Sequence, residues 1–327
     1  MLPGAGEAGP GDLLRVVVRS KRLEAANVVS LELASCDGDV LPAFTAGAHV
    51  DVHIPGELIR QYSLCNNPRE NHRYVITVLR EASSRGGSSA LHDAREGQFL
   101  LISKPRNTFA LVEGAPHSFL LAGGIGVTPL LAMAERLTDL QADFRLDYCS
   151  RSPGQMAFRD RLLGSRFAKR VHLHFDDGVE GQRMDANALL AHPEQGNHLY
   201  VCGPCGFIDY VMSSARNHGW RDEQLHREYF SANPVSAGTG DSFQVQLAST
   251  GKVLNVPSNR TVIDVLAAEG IEIPVSCEQG VCGTCLTGVL EGELDHRDMY
   301  LTDQERTAGL RFMPCCSRGK GLVLLDL

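Results

Sequence analysis

The sequence predicts a multidomain protein of α/β and β structure, made of an antiparallel β-barrel, an open parallel α/β sheet and a small module of strands and one helix. Three observations along its 327 residues predict this order. Up to about residue 112, short alternating or β-branched segments are separated by turn residues, as in antiparallel barrels. From 113 to 230, short apolar strands alternate with helices, which is typical of a parallel sheet. A stretch over 231–241 with the composition of a linker then separates a third segment, 242–327.

In the first domain, 12–112, the strand-like segments are LLRVVVRS, VVSLELA, HVDVHI and RYVITVLR. In the second, 113–230, the buried strand SFLLAG is followed by the helix PLLAMAERLTDL. Thr128 is the predicted N-cap of that helix, and Pro129 lies in its first turn. FRLDYCS and HLYVCG repeat the pattern of a strand followed by a turn and a helix.

The third domain, 242–327, begins with FQVQLAS, whose alternation of apolar and polar residues predicts a half-buried strand. The helix TVIDVLAAEG follows, with Thr261 as its N-cap and Asp264 three residues on. Gly270 is the predicted end of this helix.

Composition and charge exclude several classes of function. The chain is 43% hydrophobic and carries a net charge of −8, which argues against binding to nucleic acid or to an anionic membrane. The N-terminus lacks the basic start and apolar core of a signal peptide. The longest weakly charged run, 118–134, is too short and too interrupted by glycine to span a bilayer. We therefore expect a cytoplasmic protein with no nucleic-acid or membrane partner.

Five of the ten cysteines lie between 277 and 316. In a reducing compartment such a cluster indicates metal or redox chemistry rather than disulfides. CEQGVCGTC sets Cys277, Cys282 and Cys285 at the spacing C-x4-C-x2-C, which is that of a plant-type 2Fe–2S cluster. A zinc site usually has a second pair of closely spaced cysteines, and no such pair follows here.

The fourth cluster ligand is expected 30 residues after the third, where Cys315 and Cys316 are adjacent. One of them can bind iron while the other packs as a small apolar side chain. Spacing alone does not choose between the two. Glycines in the first loop let it fold back and direct backbone N–H groups at the sulfurs.

Two segments of the predicted barrel offer groups that bind a flavin. Arg60-Gln61-Tyr62-Ser63 ends a strand with a guanidinium for phosphate, an aromatic ring and a hydroxyl donor. Arg85-Gly86-Gly87-Ser88 combines a cation with a glycine turn whose N–H groups can cradle phosphate. Either segment alone also occurs at ordinary strand ends and surface turns. Their occurrence in one barrel indicates a flavin site.

The second domain carries two segments that indicate nicotinamide binding. GGIGVTP, with Gly124, Gly126 and Thr128, joins a buried strand to a helix, where a pyrophosphate can sit at the helix N-terminus. Pro129 stands where the third glycine of the G-x-G-x-x-G fingerprint would fall. Cys202-Gly203-Pro204 ends a later strand, at the edge where open α/β sheets bind ligands.

Together and in this order, these motifs resemble the phthalate dioxygenase reductase family, which includes vanillate demethylase reductases. The resemblance covers about residues 12 to 327 and rests on RQYSLCNNP, RYVITVLR, SRGGSSALHD, FLLAGGIGVTPLLAMA, YVCGP, SCEQGVCGTC, ELDHRDMYLT and PCCSRGKGLVLLDL. It implies an FMN-binding β-barrel (12–112), an NAD(P)H-binding α/β domain (113–230) and a C-terminal β-grasp ferredoxin domain (242–327). It also implies an enzyme that passes electrons from NAD(P)H through FMN and a 2Fe–2S cluster to a Rieske-type aromatic oxygenase or demethylase.

The resemblance further implies roles for individual residues. Cys315 is the fourth cluster ligand and Cys316 the packing residue. Cys202 and Gly203 line the nicotinamide. The residues implied near the flavin are Arg60, Tyr62 and Ser63, Arg85 to Ser88 at its phosphate, the backbone of Thr77, Val78 and Leu79, and the side chains of Thr128 and Phe230.

The chain departs from relatives at two positions. Leu79 stands where some relatives carry Lys, which has no effect if only backbone meets the flavin there. Ser152 stands where an NADH-using relative has Asp, and Arg151 could tolerate a 2′-phosphate. We expect NADH as the donor, with NADPH possible.

Two other functions fit part of the sequence. The same redox core could serve a haem-thiolate monooxygenase, because similar modules occur fused behind such haem domains. The chain could also be an electron carrier without nicotinamide activity of its own, but GGIGVTP and CGP argue against that.

Overall fold

The computed structural model describes residues 13–54, 58–81, 86–178, 182–230 and 241–327. These residues form three sheets, in the predicted order, within two compact units, Ala8–Phe230 and Ser231–Leu327 with Met1–Glu7. Apart from Asp241, the predicted linker lies outside the described residues, and the domain limits given above stay predictions. No helix in the described ranges is long and apolar enough to cross a membrane.

The first sheet is antiparallel throughout. Its strands are β1 (Leu13–Ala25), β2 (Val28–Ser35), β3 (His49–Ile54), β4 (Leu58–Ser63), β5 (Tyr74–Leu79) and β6 (Phe99–Ser103), and helix α1 is Gly87–His92. The strand order is β4-β3-β6-β1-β2-β5, so β4 and β5 are the edge strands. Alternate apolar side chains, among them Val16, Leu31 and Val50, form one core because they share a face of the sheet. Helix α1 packs against both β4 and β5.

The second sheet is parallel throughout, as predicted. Its strands are β7 (Ser118–Gly123), β8 (Phe144–Ser150), β9 (Val171–Phe175), β10 (His198–Cys202) and β11 (Leu225–Glu228), and its helices are α2 (Val127–Asp139), α3 (Arg159–Leu163), α4 (Ala186–Leu189) and α5 (Cys205–Asn217). The strand order is β11-β10-β7-β8-β9. The central strand β7 is buried because α2 packs on it, which explains its continuous apolar run.

Helix α2 begins two residues earlier than predicted. Its N-cap is Gly126, and the hydroxyl of Thr128 donates to the Ile125 carbonyl at 3.0 Å. The prediction of Thr128 as N-cap is therefore wrong, because its hydroxyl bonds back to the preceding turn and caps no helix amide. Pro129 does lie in the first turn, where its missing N–H costs no hydrogen bond.

The third sheet is mixed and has one main helix, as expected of a β-grasp module. Its elements are β12 (Phe243–Leu247), β13 (Val253–Val256), α6 (Val262–Ala268), β14 (Thr287–Asp295), α7 (Asp303–Ala308), β15 (Arg311–Phe312) and β16 (Arg318–Leu325). The order is β13-β12-β16-β14-β15, with β12 parallel to β16. Thr261 and Asp264 form the predicted capping box of α6, and Gly270 follows its end with φ of 75°.

The antiparallel sheet and the parallel sheet share a hydrophobic core. Val28 of the first sheet and Phe109 of the segment that follows it pack in the same cluster as Leu120 and Tyr200 from the second. The rings of Phe109 and Tyr200 meet edge to face with centroids 5.9 Å apart, and the Tyr200 hydroxyl accepts a hydrogen bond from the Val112 N–H at 2.8 Å. This shared burial explains why both sheets belong to one unit.

At the carboxyl ends of β7 and β10, the backbones of two loops are in direct contact. A Cβ at Gly126 would lie 2.2 Å from the carbonyl oxygen of Cys202, and one at Gly203 would lie 2.9 Å from the Cα of Gly123. No real Cβ approaches backbone so closely. Only glycine therefore lets the two neighbouring strands end side by side.

We expect Gly126→Ala to destabilise the unit Ala8–Phe230 by about 1–3 kcal/mol, because its methyl group would overlap rigid backbone. Trp220 is the one tryptophan of the chain and is buried in this unit, so urea unfolding followed by its fluorescence measures the effect. Gly206→Ala is the matched control, since nothing lies within 4 Å of its Cβ position. That variant should keep its stability or gain up to about 1 kcal/mol. Equal losses in both variants would contradict the steric argument.

Candidate functional site

Arg60 lies against the start of helix α1, which brings together the two segments predicted to bind a flavin. A Cβ at Gly87 would be 2.8 Å from the Cγ and 3.2 Å from the Nε of Arg60. Gly86, just before the helix, has φ of 107°, a conformation that favours glycine. A guanidinium and the N–H groups of a glycine turn are therefore neighbours, as phosphate binding requires.

The rest of this glycine segment is described only in part. The Ser88 hydroxyl accepts a hydrogen bond from the backbone N–H of Glu81 at 3.2 Å, which ties the first turn of α1 to the end of β5. Arg85 lies outside the described residues. Its predicted contact with a phosphate stays a prediction.

Alternate residues of β4 face opposite sides of the sheet. Tyr62 pairs with Val50 in the adjacent strand and packs on the barrel core, and Arg60 shares its face. Burial raises the pKa of Tyr62 to about 12, so its phenol is neutral and can donate a hydrogen bond. Gln61 and Ser63 belong to the other face, and Gln61 Nε2 is buried without a hydrogen-bond partner among the described residues. The alternation of side chains along β4 therefore places Gln61 and Ser63 on the face opposite to that of Arg60 and Tyr62.

The predicted backbone segment Thr77, Val78 and Leu79 is the end of edge strand β5, which lies in contact with the other edge strand, β4. The Thr77 hydroxyl is buried 3.3 Å from the Cys65 thiol, and Leu79 packs against the core shared with the parallel sheet. The Val78 carbonyl is 3.0 Å from His92 Nε2, at the end of α1. Both edge strands and α1 thus border one region of the barrel.

The predicted nicotinamide segments meet at one edge of the parallel sheet. Strands β7 and β10 are direct neighbours, so the loop with Gly124 and Gly126 adjoins Cys202 and Gly203. Pro204 caps helix α5 and Gly126 caps helix α2, so two helix N-termini begin at this edge. Helix N-termini in general favour anionic ligands, although the Val127 N–H already donates to Gly124 and the Phe207 N–H to Pro204. Burial raises the pKa of the Cys202 thiol, which keeps it neutral.

Glu228 is a candidate residue that the sequence analysis missed. It ends β11 opposite Cys202 in the neighbouring strand, and its Oε2 is buried without a hydrogen-bond partner among the described residues. Desolvation raises the pKa of Glu228 to about 8. Phe230 follows two residues later and is 38% exposed. An acidic residue at the carboxyl end of the last parallel strand was the signal available in the sequence.

We expect the Glu228→Gln variant to gain stability relative to the wild type as pH rises from about 5 to 8. Between pH 4.5, the ordinary pKa, and about pH 8, the folded chain keeps the proton on Glu228 whereas the unfolded chain loses it. Wild-type unfolding free energy therefore falls through this window, whereas glutamine stays neutral. Urea unfolding followed by Trp220 fluorescence measures the difference at each pH. Exposed Glu223→Gln is the control, and an equal pH slope in both variants would refute the assignment.

The predicted cluster loop has no regular secondary structure, and its shape depends on glycine. Gly283 has φ of 74°, and a Cβ there would lie 2.3 Å from the ring of Tyr300. The backbone N–H of Gln279 donates to Cys277 Sγ at 3.3 Å, and that of Thr284 donates to Cys282 Sγ at 3.5 Å. Backbone N–H groups therefore point at the sulfurs, as the sequence predicted.

The candidate ligand cysteines lie in two pairs. The Cys277 thiol is hydrogen-bonded to Cys282, and the Cys315 thiol is hydrogen-bonded to Cys285. Cys285 and Cys315 are buried together beside Met313. The Cys315 thiol is also hydrogen-bonded to Cys316. The Cys316 thiol donates to the Met313 carbonyl at 3.7 Å, and its Sγ lies 2.4 Å from the position of a Cβ at Gly280.

Two pairs of thiols fit a 2Fe–2S cluster better than a single ion. A structural zinc ion needs about four ligands around one point, and no group of three or more His, Cys, Asp or Glu residues in the described ranges has that form. A 2Fe–2S cluster takes four thiolates in total, two at each iron. The arrangement supports Cys315 as the fourth ligand.

Comparisons with known proteins agree with this assignment. Residues 245–320 match the family of 2Fe–2S iron-sulfur cluster binding domains. The chain is 51% identical to a vanillate O-demethylase oxidoreductase from a Pseudomonas species (strain HR199), over 96% of this chain and 100% of that one.

Two solved structures are similar over nearly the whole chain. Phthalate dioxygenase reductase, described as a modular structure for electron transfer from pyridine nucleotides to 2Fe–2S, is 38% identical with a TM-score of 0.76, over 96% of this chain and 98% of that one. An intact type IV self-sufficient cytochrome P450 monooxygenase is 35% identical with a TM-score of 0.83, over 100% of this chain and 43% of that one. With the family resemblance of the sequence confirmed from end to end, the chain belongs to the phthalate dioxygenase reductase family.

Proposed function

We propose that this chain is a cytoplasmic electron-transfer reductase, which passes electrons from NADH through FMN and a 2Fe–2S cluster to a Rieske-type aromatic oxygenase or demethylase. The observation that carries the proposal is the pairing of Cys277 with Cys282 and of Cys285 with Cys315. In the other unit, Arg60 lies beside Gly87 and Gly126 lies against Cys202, as binding of a phosphate and of a dinucleotide would require. When bound, FMN and the cluster convert an electron pair into single electrons.

In the barrel, Arg60 and the N–H groups around Gly86 and Gly87 would bind the FMN phosphate. Their contact supports this role, because a planar guanidinium and backbone donors are complementary to phosphate oxygens. Neutral Tyr62 shares the face of Arg60 and would border the flavin ring, as would the end of β5. Ser63 ends β4 directly after Tyr62, and its predicted contact with the flavin stays a prediction.

At the parallel sheet, Gly126 and Gly203 would let the dinucleotide approach the backbone, with the first turns of α2 and α5 facing its phosphates. Protonated Glu228 lies beside Cys202 and would donate a hydrogen bond to a neutral polar group of the nicotinamide. The chain thus orients the donor and needs no general base, because hydride transfer depends chiefly on alignment.

Two acidic residues support NADH over NADPH. The backbone N–H groups of Asp176 and Asp177 donate to the carbonyls of Ser150 and Arg151, each at 3.1 Å. They therefore adjoin Ser152, where the sequence lacked an acidic residue for the ribose. From there their carboxylates would accept hydrogen bonds from a 2′-hydroxyl and repel a 2′-phosphate, whereas Arg151 would tolerate the phosphate.

A second candidate partner is a haem-thiolate monooxygenase, because 43% of the self-sufficient cytochrome P450 chain matches the whole of this chain. The reductase chemistry is the same in both cases, and only the acceptor differs.

The function is tested by mixing the anaerobic protein with NADH, and separately with NADPH, in a stopped-flow spectrometer. We expect NADH to bleach the flavin band first and the cluster absorbance afterwards, and NADPH to do so more slowly. Bleaching of neither chromophore would contradict the reductase and favour the carrier. Adding either a Rieske-type demethylase or a haem-thiolate enzyme, each with its substrate, then identifies the acceptor by product formation.

The fourth ligand is tested with two neighbouring substitutions. Cys315→Ser should remove most of the bound iron and the cluster absorbance, because Cys315 is the thiol that reaches Cys285. Cys316→Ser should keep both, because the Cys316 thiol bonds to its neighbour Cys315 and to the Met313 carbonyl, whereas Cys315 reaches Cys285. Iron and acid-labile sulfide assays on the purified variants give the answer. The reverse pattern would make Cys316 the ligand.

A further inference from the structure

Asp298 is a buried carboxylate between the two chain segments that carry the candidate cluster ligands. It is 2% exposed. A Cβ at Gly280, inside the three-cysteine loop, would lie 3.0 Å from its Cα, and the backbone N–H of Met299 donates to the Gly280 carbonyl at 2.9 Å. On its other side, the Ser317 hydroxyl donates to Asp298 Oδ1 at 3.2 Å. Ser317 is two residues from Cys315.

The carboxylate of Asp298 is held by several donors. Its Oδ2 accepts from the backbone N–H of Leu301 at 2.8 Å and from that of Tyr300 at 3.2 Å. Arg306 donates to the Asp298 carbonyl, and its Nη2 is 3.8 Å from Oδ2. His296 Nδ1 is 3.5 Å from Oδ1. The position of the charge is therefore fixed, and solvent screens it little.

We propose that Asp298 is a positioning residue that also sets the reduction potential of the cluster. It connects the three-cysteine loop with the segment of the fourth ligand, so it fixes the position of Cys315 relative to that loop. Reduction adds one negative charge to the cluster, and a fixed negative charge nearby opposes it. Asp298 thus makes the reduced cluster a stronger electron donor, and the Arg306 guanidinium partly offsets this effect. The inference rests on the proposed 2Fe–2S cluster.

The test is a redox titration of the full-length protein, followed by the EPR signal of the reduced cluster. Asp298→Asn should shift the midpoint potential to more positive values with iron content retained, since asparagine can still accept from Leu301 N–H and bond to Ser317. Arg306→Gln should shift it in the opposite direction. Asp303→Asn is the matched control, because the Asp303 side chain is on the same segment but 89% exposed. The cluster of this variant should have the midpoint potential of the wild type.

Opposite shifts of the midpoint potential in Asp298→Asn and Arg306→Gln would support an electrostatic role. A purely structural effect would not depend on the sign of the charge that is removed. An unchanged potential in an iron-loaded Asp298→Asn protein would overturn the inference. If that variant binds no iron, Arg306→Gln decides: a negative shift supports the inference, and no shift or a positive shift overturns it. A wild-type chain without iron and acid-labile sulfide would instead refute the proposed cluster itself.

Discussion

Close approach of other groups to the backbone of a glycine is the constraint on which the candidate sites depend. Gly126 admits the carbonyl of Cys202, so the two central parallel strands end level with each other. Gly87 admits the side chain of Arg60 beside helix α1, and Gly280 admits the segment that follows β14. Each contact joins segments that are distant in sequence. The sites are therefore fixed by steric exclusion of side chains as much as by attractive contacts.

The sequence predicted those features that depend on local spacing. The C-x4-C-x2-C loop, the alternation of strands and helices and the capping box of α6 are all local patterns, and the structure has them. Features set by register between distant strands were not predictable. The position of Glu228 opposite Cys202 depends on how β11 pairs with β10. One local feature was also missed, because the turn over Gly124–Gly126 leads directly into α2 and moves its start ahead of Thr128. The sequence likewise gave no sign that Asp298 would lie against Gly280.

The two units place buried carboxylates in opposite surroundings. Asp298 accepts from a hydroxyl and from backbone N–H groups and faces Arg306, so its charge is compensated. Glu228 has one oxygen without a partner in the described chain, and desolvation raises its pKa to about 8. Burying an unpaired charge is costly, so a carboxyl group in that position takes up a proton. One carboxylate is thus suited to act as a fixed charge, and the other as a neutral donor to a ligand.

The core shared by the barrel and the parallel sheet has a consequence for recombination between relatives. Phe109 and Leu120 lie on either side of the predicted boundary at 112/113, yet they belong to one hydrophobic cluster. The sheet beyond residue 241 has a cluster of its own, which includes Val245 and Leu266. A crossover at 112/113 would join unmatched halves of one core, whereas a crossover after Phe230 would leave both cores intact. Exchange of whole modules in this family is therefore expected to occur at the second boundary, so that the flavin and nicotinamide domains are inherited together.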